Sequence, residues 1–325
     1  MYPWLTEYWQ TWLAAFGEGR LAHAWLISGP SGLGKLALAQ AMARTLLCQQ
    51  PGADGACGFC HACELIAHGN HPDLQLVGQS DEKSIGVDAI RAVIAQLNGS
   101  AQLAGGKVVI LARAEAMTEA AANALLKTLE EPAGRSMLVL LSDHPNRLLP
   151  TILSRCQKMA IRIPEPQSLL GWLHQQEEGR QASVLHLRLN QYAPLQTLAY
   201  LRNGLEAKRH ALLAALLQAL IQPGRLSSLV TQIVATSPHA LHWLHYLLLD
   251  ALKAQSGCRT EQWTMSDAAA CVERLGNYST EHLLHALSSL QALISPAEGM
   301  VTAIPSLHIT QWCNSLITEE PDFAR

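Results

Sequence analysis

Apolar residues in the first half of the chain follow two rhythms. Short apolar runs at Ala24–Ser28 (AWLIS) and Lys107–Leu111 (KVVIL) read as buried strands, 137–141 (MLVLL) as a further strand, and Leu74–Val77 (LQLV) is strand-like. Between them, 36–47 and 87–97 place Ala, Leu, Ile and Val at helical spacing. Thr118 can cap a further helix that runs to Glu131 and stops before Pro132. Strands alternating with helices predict a parallel sheet covered on both faces.

The rhythm changes at Ile163-Pro-Glu-Pro166, where two prolines close the alternating pattern. Beyond it Leu205–Ile221, 240–254, 281–294 and 307–317 carry apolar residues every three to four positions, and strand signals are few. Asn203-Gly204 breaks this region again. Three segments are therefore expected: 1–164, a small helical unit at 165–205 and a larger one at 206–325.

Composition narrows the function classes. Of 325 residues 49% are apolar and 15% charged, which supplies a core and excludes global disorder. The net charge of −3 is far from that of a protein that wraps nucleic acid by itself. The most apolar stretch, 211–221, contains Gln218 and falls short of the ~18 residues of a membrane span. The N-terminus has no basic start, apolar core and small-residue cleavage site, so a cytoplasmic location is expected.

Gly29-Pro-Ser-Gly-Leu-Gly34-Lys35 fits G-x-x-x-x-G-K between a strand and a helix. In that context backbone N–H groups and a helix N-terminus face phosphate oxygens; Gly29, Gly32 and Gly34 allow the close approach, and Lys35 would reach the β and γ oxygens. The next residue is Leu36, where a hydroxyl is needed to hold Mg²⁺. Directly after the strand at Lys107–Leu111 stand Ala112 and Arg113 rather than an acidic pair; Glu115 is a displaced candidate. The loop thus retains groups for ATP or ADP, while hydrolysis is not expected.

Of eight cysteines, Cys48, Cys57, Cys60 and Cys63 form C-x8-C-x2-C-x2-C. Four thiolates suit tetrahedral Zn²⁺, and a closed site of this kind is structural rather than catalytic. The alternatives are free thiols in a surface loop, or His61, His68 or His71 replacing one ligand. Cys156, Cys258, Cys271 and Cys313 read as small core residues. Trp4, Trp9 and Trp12 read as packing. A zinc-dependent DNA-binding module would need a basic knuckle, and 57–63 has no Lys or Arg.

Longer motifs carry a resemblance. Ala121-Ala122-Asn123-Ala124-Leu125-Leu126-Lys127-Thr128-Leu129-Glu130-Glu131-Pro132 resembles the hallmark helix of the clamp-loader AAA+ family of bacterial DNA polymerase III subunits. Leu153-Ser154-Arg155-Cys156 is similar to that family's Ser-Arg-Cys motif. The phosphate loop, the four-cysteine insertion and Gly86-Val87-Asp88-Ala89-Ile90-Arg91 follow in matching order. The resemblance covers 1–164 by motif and the helical remainder by architecture.

The resemblance implies an α/β AAA+ P-loop module with a parallel sheet, then an all-α lid and an all-α collar. Motor (tau/gamma) subunits of the family keep an intact loop, an Asp-Glu pair and a lid arginine. Leu36, Ala112, Arg113 and Leu195, within the lid stretch 187–198, depart from each, as in the family's non-motor branch. It further implies a hetero-pentameric ring with motor and delta subunits, a sliding clamp and primed DNA contacted through the complex, and Arg155 as an arginine finger acting in trans. The alternatives are an ordinary surface arginine paired with a carboxylate and, for the whole chain, a self-sufficient P-loop ATPase.

Overall fold

The computed structural model describes residues 1–79, 84–103, 105–132, 134–294 and 306–318. The end of the expected collar beyond 318 lies outside the described residues. The chain forms two compact units, Met1–Glu165 and Pro166–Arg325.

The first unit follows the alternation in the sequence. Its elements are α1 (Thr6–Gly17), β1 (Ala24–Ser28), α2 (Lys35–Leu47), α3 (His61–Ala67), β2 (Leu74–Val77) and α4 (Val87–Asn98). They continue as β3 (Lys107–Leu111), α5 (Glu119–Glu130), β4 (Ser136–Ser142), α6 (Pro150–Leu153) and β5 (Gln157–Ala160). The five strands are ordered β2-β3-β4-β1-β5, and every pairing is parallel. Trp25 and Ile27 enter a core on one face; Ala24 and Leu26 enter a second core on the other. Strands buried on both faces read as unbroken apolar runs for this reason.

Strand β5 is an addition to the sequence reading. Its four residues, QKMA, bury only Met159, because it is an edge strand with one neighbour, β1. Thr118 caps α5 as expected, its side chain accepting from Ala121 N–H at 3.2 Å.

The second unit is helical: α7 (Pro166–His174), α8 (Val184–Leu189), α9 (Pro194–Arg202), α10 (Leu205–Ile221), α11 (Leu226–Thr236), α12 (His239–Gln255), α13 (Ala269–Leu275), α14 (Thr280–Ile294) and α15 (Ser306–Thr318). Leu189 and Tyr200 share one hydrophobic core with residues from α10 to α15. Among the described residues, no helix is long and apolar enough to cross a membrane.

That core also holds polar fasteners. The fully buried Arg209 of α10 donates to both carboxylate oxygens of Asp267 at 3.1 and 2.6 Å and to Tyr200 Oη at 3.1 Å. Buried Asp250 accepts from Thr264 N–H at 2.9 Å and Met265 N–H at 2.8 Å. Together they pin the connection before α13. Asp267 retains 30% side-chain exposure, so the Arg209 pair is only partly dehydrated. Removing one partner of such a pair leaves the other uncompensated. Arg209→Ala is expected to destabilise the helical unit by about 3 kcal/mol, read as a lower urea midpoint; Arg202→Ala, at an exposed pair with Glu178, is expected to leave that midpoint nearly unchanged.

Candidate functional site

The phosphate loop sits where the sheet requires it. Ser28 at the end of β1 pairs with Ser142 at the end of β4, and Gly29 N–H donates to Ser142 O at 3.2 Å. The chain then turns through Gly34, whose φ of +84° sets the start of α2. A Cβ there would lie 2.6 Å from the Tyr2 ring, so this position requires glycine for both conformation and space. Trp4 Nε1–H donates to Leu33 O at 2.9 Å, and Trp12 is fully buried in the same face's core. The N-terminal aromatics are thus packing, and part of it braces the loop.

Gly29, Gly32, Gly34 and Lys35 come together as the motif implies, but Lys35 is already occupied. Its Nζ donates to Gly29 O at 2.6 Å and Pro30 O at 2.7 Å, and pairs with Asp143 Oδ1 at 2.6 Å. The lysine side chain is 8% exposed. An ammonium has three hydrogens, so these contacts use all of them. Asp143 is in turn held from behind: its N–H donates to Glu115 Oε1 at 3.1 Å. Sequence reasoning missed Asp143, because no motif links it to a lysine 108 positions earlier.

The metal-holding positions are built for packing. Leu36 lies against the apolar core of α1, α2 and the sheet. Ala112 N–H continues the sheet hydrogen bonding to Val77 O at 2.8 Å. Arg113 Nε–H donates to Gly78 O at 3.1 Å. Glu115, the displaced candidate, directs one oxygen at the Asp143 backbone.

Arg155 follows α6 in the Ser-Arg-Cys motif, with Cys156 buried beside it. Its Nε–H donates to Glu130 Oε1 at 2.8 Å, and Nη2 meets the same oxygen. Nη1 donates to Thr151 O at 3.0 Å and Ser154 Oγ at 3.3 Å. Glu130 ends the hallmark helix α5, so the two long motifs meet at this ion pair.

The four cysteines converge from the end of α2, the following loop and α3. Their sulfurs lie within 4.8 Å of one another, and this cluster can hold a metal ion. Cys48 Sγ is 3.5 Å from Cys57 Sγ and 3.8 Å from Cys60 Sγ; Cys57 and Cys63 are 4.0 Å apart. A tetrahedron with ~2.3 Å metal–sulfur bonds has edges of about 3.8 Å, so the donor set fits such an ion. His61, His68 and His71 are outside the cluster; His71 instead accepts Asp73 N–H at 3.1 Å. Gly55 closes the loop at φ +117°, against Trp9 and Thr45.

Without an ion these thiols disagree. Burial pushes Cys63 up to about 12 and raises Cys48. Cys60 falls to about 6: burial opposes its ionisation, but the N–H groups of Cys63 and Gln49 and the neighbouring thiols outweigh it. A central cation is what would let all four ionise together. Cys156, Cys271 and Cys313 are buried singly, and burial holds their thiols at about 11, 11 and 12.

Comparison with known proteins covers both units. The family described as "DNA polymerase III, delta subunit" matches residues 4–165, and that described as "DNA polymerase III, delta subunit, C terminal" matches residues 204–318. The chain is similar to DNA polymerase III subunit delta' of Escherichia coli (strain K12), 38% identical over 288 residues, 88% of this chain and 86% of the relative. It is also similar to DNA polymerase III subunit delta' of Pseudomonas aeruginosa, 41% identical over 246 residues, 75% of this chain and 71% of the relative. Among solved structures, a gamma subunit-related protein of Thermotoga maritima is 18% identical, covers 94% of this chain and 98% of its own, and superposes with a TM-score of 0.46.

The Lys35–Asp143 pair sets an expectation for the loop. Asp143→Ala frees one lysine donor and removes a carboxylate from the place a phosphate would approach. Pyrophosphate and ADP are expected to bind the variant on the order of tenfold more tightly than the parent, since charges a few ångströms apart at a partly exposed site interact at least this strongly. Isothermal titration of both proteins checks it; equal affinities would show that Asp143 does not guard the loop.

Proposed function

The chain belongs to the delta-prime family of DNA polymerase III subunits, and we propose that it acts in the replicative clamp loader as the non-motor member of a hetero-pentameric ring. It is a clamp-loader component of DNA replication on the strength of relatives that match most of its length. Its ring neighbours would be the motor (tau/gamma) and delta subunits, and it would meet the sliding clamp and primed DNA through the assembly. Residues 1–164 would form the AAA+ module, 165–205 the lid and 206–325 the collar. A cytoplasmic location goes with that role.

The observation that carries the non-motor reading is the full commitment of Lys35 to its own loop and Asp143. Leu36, Ala112 and Arg113 add that Mg²⁺ has no ligands in the expected places. Phosphoryl transfer depends on that ion and on positioning. A self-sufficient ATPase would need both. The loop's backbone can still receive a phosphate weakly, without turnover.

Cys48, Cys57, Cys60 and Cys63 would hold one structural Zn²⁺, which ties the end of α2 to α3. Freshly purified protein is expected to carry one zinc per chain by elemental analysis. Protons compete with the metal for thiolates, so release is expected on acidification or with a chelator. Protein that is folded, active in the complex and free of zinc would defeat this assignment.

Arg155 would act as the arginine finger in a neighbour's ATP site. A guanidinium keeps its charge and forks onto phosphate oxygens, and such a group contributes ~10³–10⁵ in rate where it meets transition-state charge. A subunit without its own hydrolysis can still supply it. In the reconstituted complex Arg155→Ala is expected to leave assembly intact and lower ATP hydrolysis at the site it faces by at least tenfold. Arg162, seven positions on, uses its backbone N–H to reach Tyr8 Oη at 3.1 Å and is the control. If both alanine variants match the parent, Arg155 is not a finger.

A further inference from the structure

We propose that Glu130 is the counter-ion that parks Arg155 while the subunit is unengaged, and that its release gates the arginine's use across the subunit boundary. The inference rests on the finger reading above and adds a second residue to it. A guanidinium has five N–H groups. Two meet Glu130 Oε1, through Nε at 2.8 Å and Nη2, and Nη1 gives two more to Thr151 O and Ser154 Oγ. One remains. A phosphate fork takes two parallel N–H groups, and Glu130 holds the parallel Nε and Nη2 pair, so Arg155 cannot offer that side to a phosphate until Glu130 lets go.

The pair is placed to be reversible. Arg155 and Glu130 side chains are 33% and 50% exposed, so water competes for both. Glu130 is the last residue of α5, where unpaired carbonyls add negative potential and favour a cation beside it. A neighbour's polyphosphate carries more charge than one carboxylate and can displace it. The contacts to Thr151 and Ser154 lie on the arginine's own segment and can keep the guanidinium oriented during the exchange.

The test is ATP hydrolysis by the reconstituted complex, with and without clamp and primed DNA, for the parent, Glu130→Ala, Arg155→Ala and the double variant. Glu130→Ala is expected to raise unstimulated hydrolysis about two- to fivefold, in keeping with an exposed pair, and to shrink the stimulation ratio. In the Arg155→Ala background the same change is expected to do nothing, which a merely structural role of Glu130 would not produce. In the isolated subunit, Arg155 Nε–H exchange measured by NMR is expected to speed up severalfold in Glu130→Ala. If Arg155→Ala lowers hydrolysis but Glu130→Ala leaves the unstimulated rate unchanged or lower, the parking role is wrong and the finger stands. If Arg155→Ala itself changes nothing, the finger reading fails, and this inference with it.

Discussion

An ammonium group has three hydrogens, and Lys35 directs all three into the protein. Two close the phosphate loop on itself at Gly29 and Pro30; the third ties the loop to Asp143 at the end of β4. This is possible only because β1 and β4 are neighbours in register, Ser28 opposite Ser142. The strand order therefore decides the fate of the lysine. A buried charge must be paired or be lost, and here the pairing partner comes from the sheet rather than from a ligand. Glu115, behind Asp143, completes a chain of contacts by accepting from that residue's backbone N–H.

The sheet was legible because burial on both faces leaves a signature in composition alone. Strands β1, β3 and β4 are apolar runs with little alternation. Strands β2 and β5 are both edges; LQLV keeps three apolar residues of four and could be read, whereas QKMA opens on two polar residues and buries only Met159, which no run of hydrophobics can announce. The helical unit was legible as helices but not as an arrangement. Ala and Leu at helical spacing say which face is covered and nothing about by what. The fasteners that specify it, Arg209 with Asp267 and Asp250 with the backbone before α13, are long-range pairs with no local pattern.

The site divides the same way. The glycine loop and the cysteine cluster were readable because their chemistry demands residue types at fixed spacing. The cysteines needed only a turn and a helix start to converge, and their sulfur separations fit one ion. Asp143 and Glu130 were not readable as partners. A carboxylate's role is set by what stands opposite it, and Lys35 and Arg155 stand 108 and 25 positions away. The sequence marked the two cations; only the fold supplies the two anions.

The two cations differ in burial, and that difference suits them to opposite roles. Lys35 is 8% exposed and makes three contacts within its own unit. Its partner Asp143 is 35% exposed, but the buried ammonium is also held by two loop carbonyls, so Lys35 is a fixture. Arg155 and Glu130 are substantially exposed, where a pair is worth about 0–1 kcal/mol and water fills either vacancy. Such a contact is too weak to stabilise the fold and weak enough to be exchanged for a phosphate. In the proposed role, one subunit would hold a cation locked away from phosphate and a cation that can be offered to it. The first follows from the end of a strand deep in the sheet, the second from the end of a surface helix. The proposed role, a subunit without nucleotide chemistry of its own that lends an arginine to a neighbour, needs both arrangements, and the burial of the cation with its loop contacts separates them.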